Sequence, residues 1–218
     1  MTNYSIDSSI RRKIIVILFV ISLLLFIPMN AILTTVYNLI IVLLPSTANF
    51  FNLLSEIGIS VSAVSLLSVF AMLYFIFCKF VWKMKLVAKF TGIPNLNGDW
   101  QGTLVSSHIN PETNKKTVLD MTMVIIQDWN SISIRSTFPE SSSYSKTASL
   151  HTNEQKGIVL GFSYRNDSMN IDIDSREFSG YNELTYKNDT LEGIYFTNRN
   201  NGTHGTIKLK KIKKESEK

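Results

Sequence analysis

Lys116-Thr117-Val118-Leu119-Asp120-Met121-Thr122-Met123-Val124-Ile125-Ile126-Gln127 is the stretch on which the fold turns. Met121, Met123 and Ile125 recur every two residues with Thr122, Val124 and Ile126 between them. That spacing suits a β-strand with one face on a core and the other on half-wet surface, whereas a helix repeats its apolar positions three and four apart. The same two-residue period runs outward from Asn97 to the C-terminal region. It predicts strands over residues 99–107, 116–127, 131–137, 144–152, 158–166, 178–186, 190–198 and 205–212. Between them, Asn110-Pro111-Glu112-Thr113-Asn114, Tyr186-Lys187-Asn188-Asp189 and residues 198–202 read as hairpin connections. Eight short antiparallel strands in about 120 residues predict a small closed barrel or a sandwich, and closure is the simpler way to leave no exposed edge. The expectation is a minimal eight-stranded antiparallel β-barrel.

Upstream the pattern is different. No charged side chain occurs from Ile14 to Ser55, nor from Ile57 to Cys78. Each run exceeds the roughly 20 apolar residues that cross a bilayer. The expected organisation is a membrane region over 1–93, with helices at about 14–34, bent or tilted at Pro28, and 57–78. A cytosolic barrel with a basic tail then follows over 94–218. Arg11, Arg12 and Lys13 flank the first run and Lys79, Lys83, Lys85 and Lys89 the second, while residues 45–56 between them hold no Lys or Arg. The positive-inside rule therefore places both ends in the cytoplasm and makes the first run a signal anchor. Gly58, Ser62, Ser65 and Ser68 are expected to form one stripe of small residues on the second helix.

Charge and cysteine content narrow the function. Residues 94–207 carry nine basic side chains against thirteen acidic, so the domain lacks the electrostatic footprint of a DNA or RNA binder. A lone Cys78 allows no internal disulfide. His108, His151 and His204 fall in separate segments, and neither a nucleophile elbow nor a phosphate-binding glycine loop is present, so the chain is read as a non-enzyme with no cofactor and no metal. Asp172 and Asp174 lack the rest of a calcium loop. Neither apolar run has an ionisable residue in its middle, which argues against an ion transporter.

The candidate ligand-binding residues lie in the barrel. Tyr195, Thr197 and Arg199 share a strand face with Gly193, so an aromatic, a hydroxyl and a guanidinium stand in file. Arg199 suits a ligand contact, a stack on a core Trp or an exposed strand end equally. Tyr164 and Asn166 make a similar polar row; Ser143 sits in the run Ser141-Ser142-Ser143-Tyr144-Ser145, which reads equally as a flexible loop; Gln127 and Trp129 end a strand and could line the same mouth. Trp100, in Gly98-Asp99-Trp100, is similar to the Trp that closes lipocalin-like barrels and is expected as a plug.

Taken in order, the two apolar runs, Gly98-Asp99-Trp100, Gln127-Asp128-Trp129, the serine-rich run, Tyr164-Arg165-Asn166, residues 191–199 (Leu-Glu-Gly-Ile-Tyr-Phe-Thr-Asn-Arg) and the closing Gly205-Thr206-Ile207-Lys208-Leu209-Lys210-Lys211 resemble the two-transmembrane β-barrel effectors of bacterial cyclic-oligonucleotide anti-phage signalling, CBASS. Phe178-Ser179-Gly180 departs from the His-x-Gly expected there, and Asp167-Ser168 from Glu-Pro. The resemblance implies a barrel in the cytoplasm that binds a cyclic dinucleotide made by a partner CD-NTase, a nucleotidyltransferase. Binding would drive homo-oligomerisation and disruption of the inner membrane, with lipid as the second partner. A membrane-anchored barrel for a lipid or peptide is the alternative, and would have an interior of Phe, Leu and Ile without charge.

Overall fold

In the computed structural model, residues 1–6, 8–58, 64–153, 157–168, 178–199 and 202–212 are described. Ser62, Asp172, Asp174 and the tail beyond Ile212 lie outside them. The chain divides into two compact units, Ser9–Val81 and Met1–Ser8 with Trp82–Lys218.

The first unit holds α1 (Ser8–Leu43), α2 (Thr47–Glu56) and α3 (Leu66–Lys79). At 1.5 Å per residue α1 is about 54 Å long, and it carries Pro28 inside it without ending there. Ser9–Leu43 and Leu66–Lys83 are long and apolar enough to cross a membrane. Asn30 sits in the midst of α1 and ties it to the segment before α3: its Nδ2 donates to the Val64 carbonyl at 3.3 Å and its Oδ1 accepts from the Val64 amide at 2.9 Å. A single amide side chain thus satisfies both groups of a peptide unit that has no helical partner. Phe19 of α1 meets Phe70 of α3 edge to face.

The expected small-residue stripe does not form. Gly58 lies in the turn that ends α2, and Ser65 caps α3, its Oγ accepting from the Ser68 amide at 3.1 Å. These serines satisfy a helix start, because a Ser before an apolar run offers its oxygen to the free N–H groups of the first turn.

Among the described residues the second unit has nine strands: β1 (Thr2–Ile6), β2 (Gly98–Asn110), β3 (Lys115–Gln127), β4 (Ser131–Thr137), β5 (Ser141–Asn153), β6 (Gly157–Ser168), β7 (Phe178–Lys187), β8 (Thr190–Thr197) and β9 (His204–Lys211). A short helix, α4 (Lys85–Thr91), leads into β2. The ladder closes in the order β1-β4-β3-β2-β9-β8-β7-β6-β5, with β4 and β5 also paired directly. Two features correct the eight-stranded antiparallel expectation. The N-terminal residues, assigned from sequence to the membrane region over 1–93, form a ninth strand, and that strand runs parallel to β5.

The reason lies in β4 and β5. At one end they pair through Arg135–Tyr144, Ser136–Ser143 and Thr137–Ser142. At the other they part, and β1 fills the gap, with Thr2 and Asn3 on Ile132 and Ser131 and with Tyr4, Ser5 and Ile6 on Ala148, Ser149 and Leu150. A register shift between Ser145 and Thr147 bends β5 where the strands separate. The bulge also changes side-chain parity, so Ser143 and Ser145 are buried on one side of it and Ala148 and Leu150 on the other. The expected loop at Ser141–Ser145 is therefore strand.

Antiparallel alternation gives the barrel a stem end, with Gly98, Gln127, Ser131, Gly157, Lys187, Thr190 and Lys211, and a distal end, with Asn110, Thr137, Ser141, Phe178, Thr197 and His204. Trp100 is fully buried at the stem end as expected of a plug, its Nε1 donating to the Leu96 carbonyl at 3.0 Å. Met121, Met123 and Ile125 face inward beside it, while Thr122, Val124 and Ile126 face out. At Asn188 and Asp189 φ is 49° and 56°, the paired positive values of the two-residue turn that matches strand twist.

Candidate functional site

The interior changes character along the barrel axis. Its stem half is filled by Trp100, Met123, Ile125, Ile132, Leu184, Leu191 and Leu209. Toward the distal end the buried inward positions become polar, and strand register sorts them into layers. Ser136, Ser143, Asn166 and Phe178 lie across one another in the outermost layer. Ser145, Tyr164, Gly180 and Thr197 form the next. Phe162, Asn182, Tyr195, Gly205 and Ser106 form the third, above the apolar fill. Successive layers are two residues apart, roughly 7 Å of strand.

Two glycines make room for the tyrosines. A Cβ on Gly180 would collide with the Tyr164 phenol, and one on Gly205 would come within 2.9 Å of the Tyr195 ring. Each ring thus lies across the backbone of a neighbouring strand. Hydroxyls continue the row: the Tyr195 phenol interacts with Ser106 and Thr203. Thr197 Oγ1 lies 2.8 Å from Thr203 Oγ1 and accepts from the Thr203 amide at 3.3 Å.

Arg199 follows the end of β8. It is exposed, and its guanidinium lies 4.0 Å over the Phe178 ring. The partner is thus Phe178 at the strand end and not a core Trp, and the flat guanidinium keeps its in-plane donors available while it stacks. Burial pushes the Tyr164 phenol well above the usual tyrosine range, the neighbouring Tyr195 adds to this, and Arg199 opposes it. Burial likewise raises Tyr195, against Ser106, Arg199 and Thr203. Both phenols stay protonated at neutral pH and remain hydrogen-bond donors. Among the described residues the arrangement gathers hydroxyl and amide groups, two aromatic faces and the Arg199 cation at one end of the barrel, which is the equipment for holding an anion with flat, polar appendages.

Six of the eight predicted residues come together here: Arg199, Thr197, Tyr195, Tyr164, Asn166 and Ser143. Gln127 and Trp129 lie at the stem end. Gln127 Oε1 accepts from the Leu96 amide at 2.9 Å and its Nε2 donates to the Tyr4 hydroxyl at 3.1 Å, so its side chain stitches β1 to the start of β2. Trp129 is buried in the turn between β3 and β4, where Asp128 Oδ1 accepts from the Asn130 and Ser131 amides at 2.8 and 2.7 Å. Both read from sequence as strand-end polar or aromatic residues, and only the pairing shows which end they occupy. Ser106, Ser136, Asn182 and Thr203 belong to the distal region and were not singled out. Ser136 and Asn182 stand two residues from the buried Ile134 and Leu184, so alternation alone would have turned them inward.

Comparison with known proteins adds to this geometry. CD-NTase-associated protein 15 of Yersinia aleksiciae is similar to the chain at 28% identity over 165 residues, spanning 74% of this chain and 77% of that protein. The family model described as Cap15, cyclic dinucleotide receptor domain, matches residues 91–211, which take in β2 to β9 and leave β1 outside. That segment is more than half of the sequence, and the chain belongs to the Cap15 cyclic dinucleotide receptor domain family.

Proposed function

We propose that this protein is a membrane-anchored CBASS effector whose barrel binds a cyclic dinucleotide at its distal end. The carrying observation is the division of the barrel interior into an apolar stem half and a polar distal half where Tyr164, Asn166, Ser143, Thr197 and Tyr195 converge with Arg199 beside them. A cyclic dinucleotide presents two phosphates and two stackable bases. Protonated phenols and serine and threonine hydroxyls serve the phosphate and ribose oxygens, Arg199 supplies a charge-assisted contact, and the aromatic rings offer stacking faces. The lipid or peptide alternative is disfavoured by the same division, since the apolar half is occupied by side chains from Trp100 to Leu209 and the other half is lined with polar groups.

The protein acts as a sensor, without chemistry on its ligand. Helix α1 and the Leu66–Lys83 segment cross the inner membrane, and the barrel lies in the cytoplasm. A feature absent from the charge pattern supports an even number of crossings: β1, before α1, and β2 to β9, after α3, belong to one barrel. Ligand binding raises the affinity of copies for one another, and the assembled helices disrupt the membrane, which ends in death of the infected cell.

The test is a thermal-shift titration of the full chain in detergent against cyclic di- and trinucleotides, with linear dinucleotides as controls. Binding to the folded state at a hundred times Kd stabilises by about 2.7 kcal/mol. A concentration-dependent rise with a cyclic dinucleotide and none with the linear controls is expected. No shift with any cyclic dinucleotide would refute the proposal.

A further inference from the structure

Among the described residues of the barrel interior, the Asn182 side chain stands out. Its position is 4% exposed, and its Oδ1 is buried with no hydrogen-bond partner. An orphaned buried acceptor costs the fold its full desolvation penalty, and Leu at this inward position of β7 would avoid that cost. Asn182 also has a particular place. Along the inward face of β7 stand Phe178, stacked by Arg199; Gly180, overlaid by the Tyr164 phenol; Asn182; and then Leu184, fully buried in the apolar fill. Asn182 is the last polar group on this strand before the core and lies opposite Phe162 and Tyr195.

We propose that Asn182 is the base-reading residue at the floor of the ligand site, and that the base it reads is adenine. This rests on the cyclic dinucleotide reading above. A carboxamide carries an acceptor and a donor side by side, and adenine presents the complementary pair, its 6-amino N–H and N7, on one edge. Phosphates and riboses engage the outer layers with Arg199, Asn166, Ser143 and Thr197, while a base is directed down the barrel toward the acceptor that has no partner. The base passes the layer of Tyr164, whose ring turns off Gly180 to admit it and stacks against it. Specificity comes from the asymmetry of hydrogen bonding: a base with an amino group satisfies Oδ1, and one without leaves it orphaned.

The experiment is isothermal titration of the full chain in detergent with cyclic di-AMP and with its analogue in which both adenines are replaced by purine, lacking the 6-amino groups. Wild type, Asn182→Leu and Asn182→Ala are compared, the alanine variant serving if leucine overfills the site. A bidentate amide–adenine pair discriminates by roughly 5- to 150-fold. Wild type is expected to prefer cyclic di-AMP by at least fivefold, and the variants to bind the two ligands within twofold of one another. Their melting temperature without ligand should equal or exceed that of wild type. A variant that keeps the wild-type preference would overturn the proposal, as would a wild type that binds both ligands alike. Binding of other cyclic dinucleotides but not cyclic di-AMP would end the adenine assignment and leave the proposed function standing. Binding of none would remove the proposed function itself.

Discussion

Replacing Tyr4 by alanine tests whether the barrel depends on a strand that precedes the first helix. Tyr4 is 2% exposed, its hydroxyl donates to the Asp128 carbonyl at 3.3 Å, and the same oxygen accepts from Gln127 Nε2 at 3.1 Å. Truncating a buried aromatic to alanine costs roughly 3–5 kcal/mol, and about 3 is apt for a short strand whose surroundings can partly collapse. Leaving the Gln127 amide without its acceptor adds about 1 kcal/mol. The total, about 4 kcal/mol, corresponds to a fall in melting temperature of roughly 12–16 °C for a unit of this size. Tyr4→Phe keeps the packing and loses only the hydroxyl, so it should lie about 3–4 °C below wild type. The assay is near-ultraviolet circular dichroism of the full chain in detergent, because Trp100 and Trp129 are buried at the stem end and report its packing. A Tyr4→Ala protein that melts within 2 °C of wild type would show that β1 contributes nothing to the barrel.

Arg199→Ala should weaken cyclic dinucleotide binding about 10- to 100-fold, the worth of a charge-assisted contact, with little change in melting temperature because the side chain is exposed; an unchanged Kd by titration calorimetry counts against a role in the site. Gly180→Ala sets a methyl against the Tyr164 phenol and the Phe196 carbonyl and should cost about 1–3 kcal/mol, measured by urea denaturation; a neutral result would mean that the ring is free to move. Alkaline pH should destabilise the barrel in a defined sense. Tyr164 and Tyr195 have raised values in the fold, so their contribution is complete below the unfolded tyrosine value near 10 and is lost as pH climbs beyond it. Tyr164→Phe should flatten the decline in melting temperature between pH 9 and 11, and an identical slope would contradict the assignment.

Strand positions were legible wherever side chains alternate. Residues 116–127 show this best, since Met121, Met123 and Ile125 are buried and Val124 and Ile126 exposed as their spacing requires. The barrel interior was harder to read because register between strands is set by turns and bulges. Gln127-Asp128-Trp129 and Tyr195-Phe196-Thr197 look alike as strand ends, and their separation to opposite ends follows from counting hairpins correctly. β1 escaped for another reason: Thr2-Asn3-Tyr4-Ser5-Ile6 alternates, but five residues beside a run of apolar helix carry too weak a periodic signal to outweigh it. In the second apolar run, serines at helical spacing predicted a packing stripe, and the break before Leu66 turned Ser65 into a cap instead.

The N-terminal strand also fixes the end at which the chain enters and leaves the barrel. Both covalent links from the barrel to α1 and α3 leave through segments joined to the stem end: β1 ends at Ile6 just before α1, and α4 ends at Thr91 just before β2. The polar groups gather at the other end. β4 and β5 carry residues of both regions, with Ser136 and Ser143 paired distally and Ile132 and Leu150 holding β1 at the stem. They touch at one end and part at the other about the bulge at residue 146, so their spacing over the polar layer and the width of the gap that admits β1 are set by the same two strands. The polar layer and the pairing of β1 thus share β4 and β5 as walls. The stem core beside them is closely packed: Trp100, Met123, Leu184, Leu191 and Leu209 are close to fully buried and resist displacement.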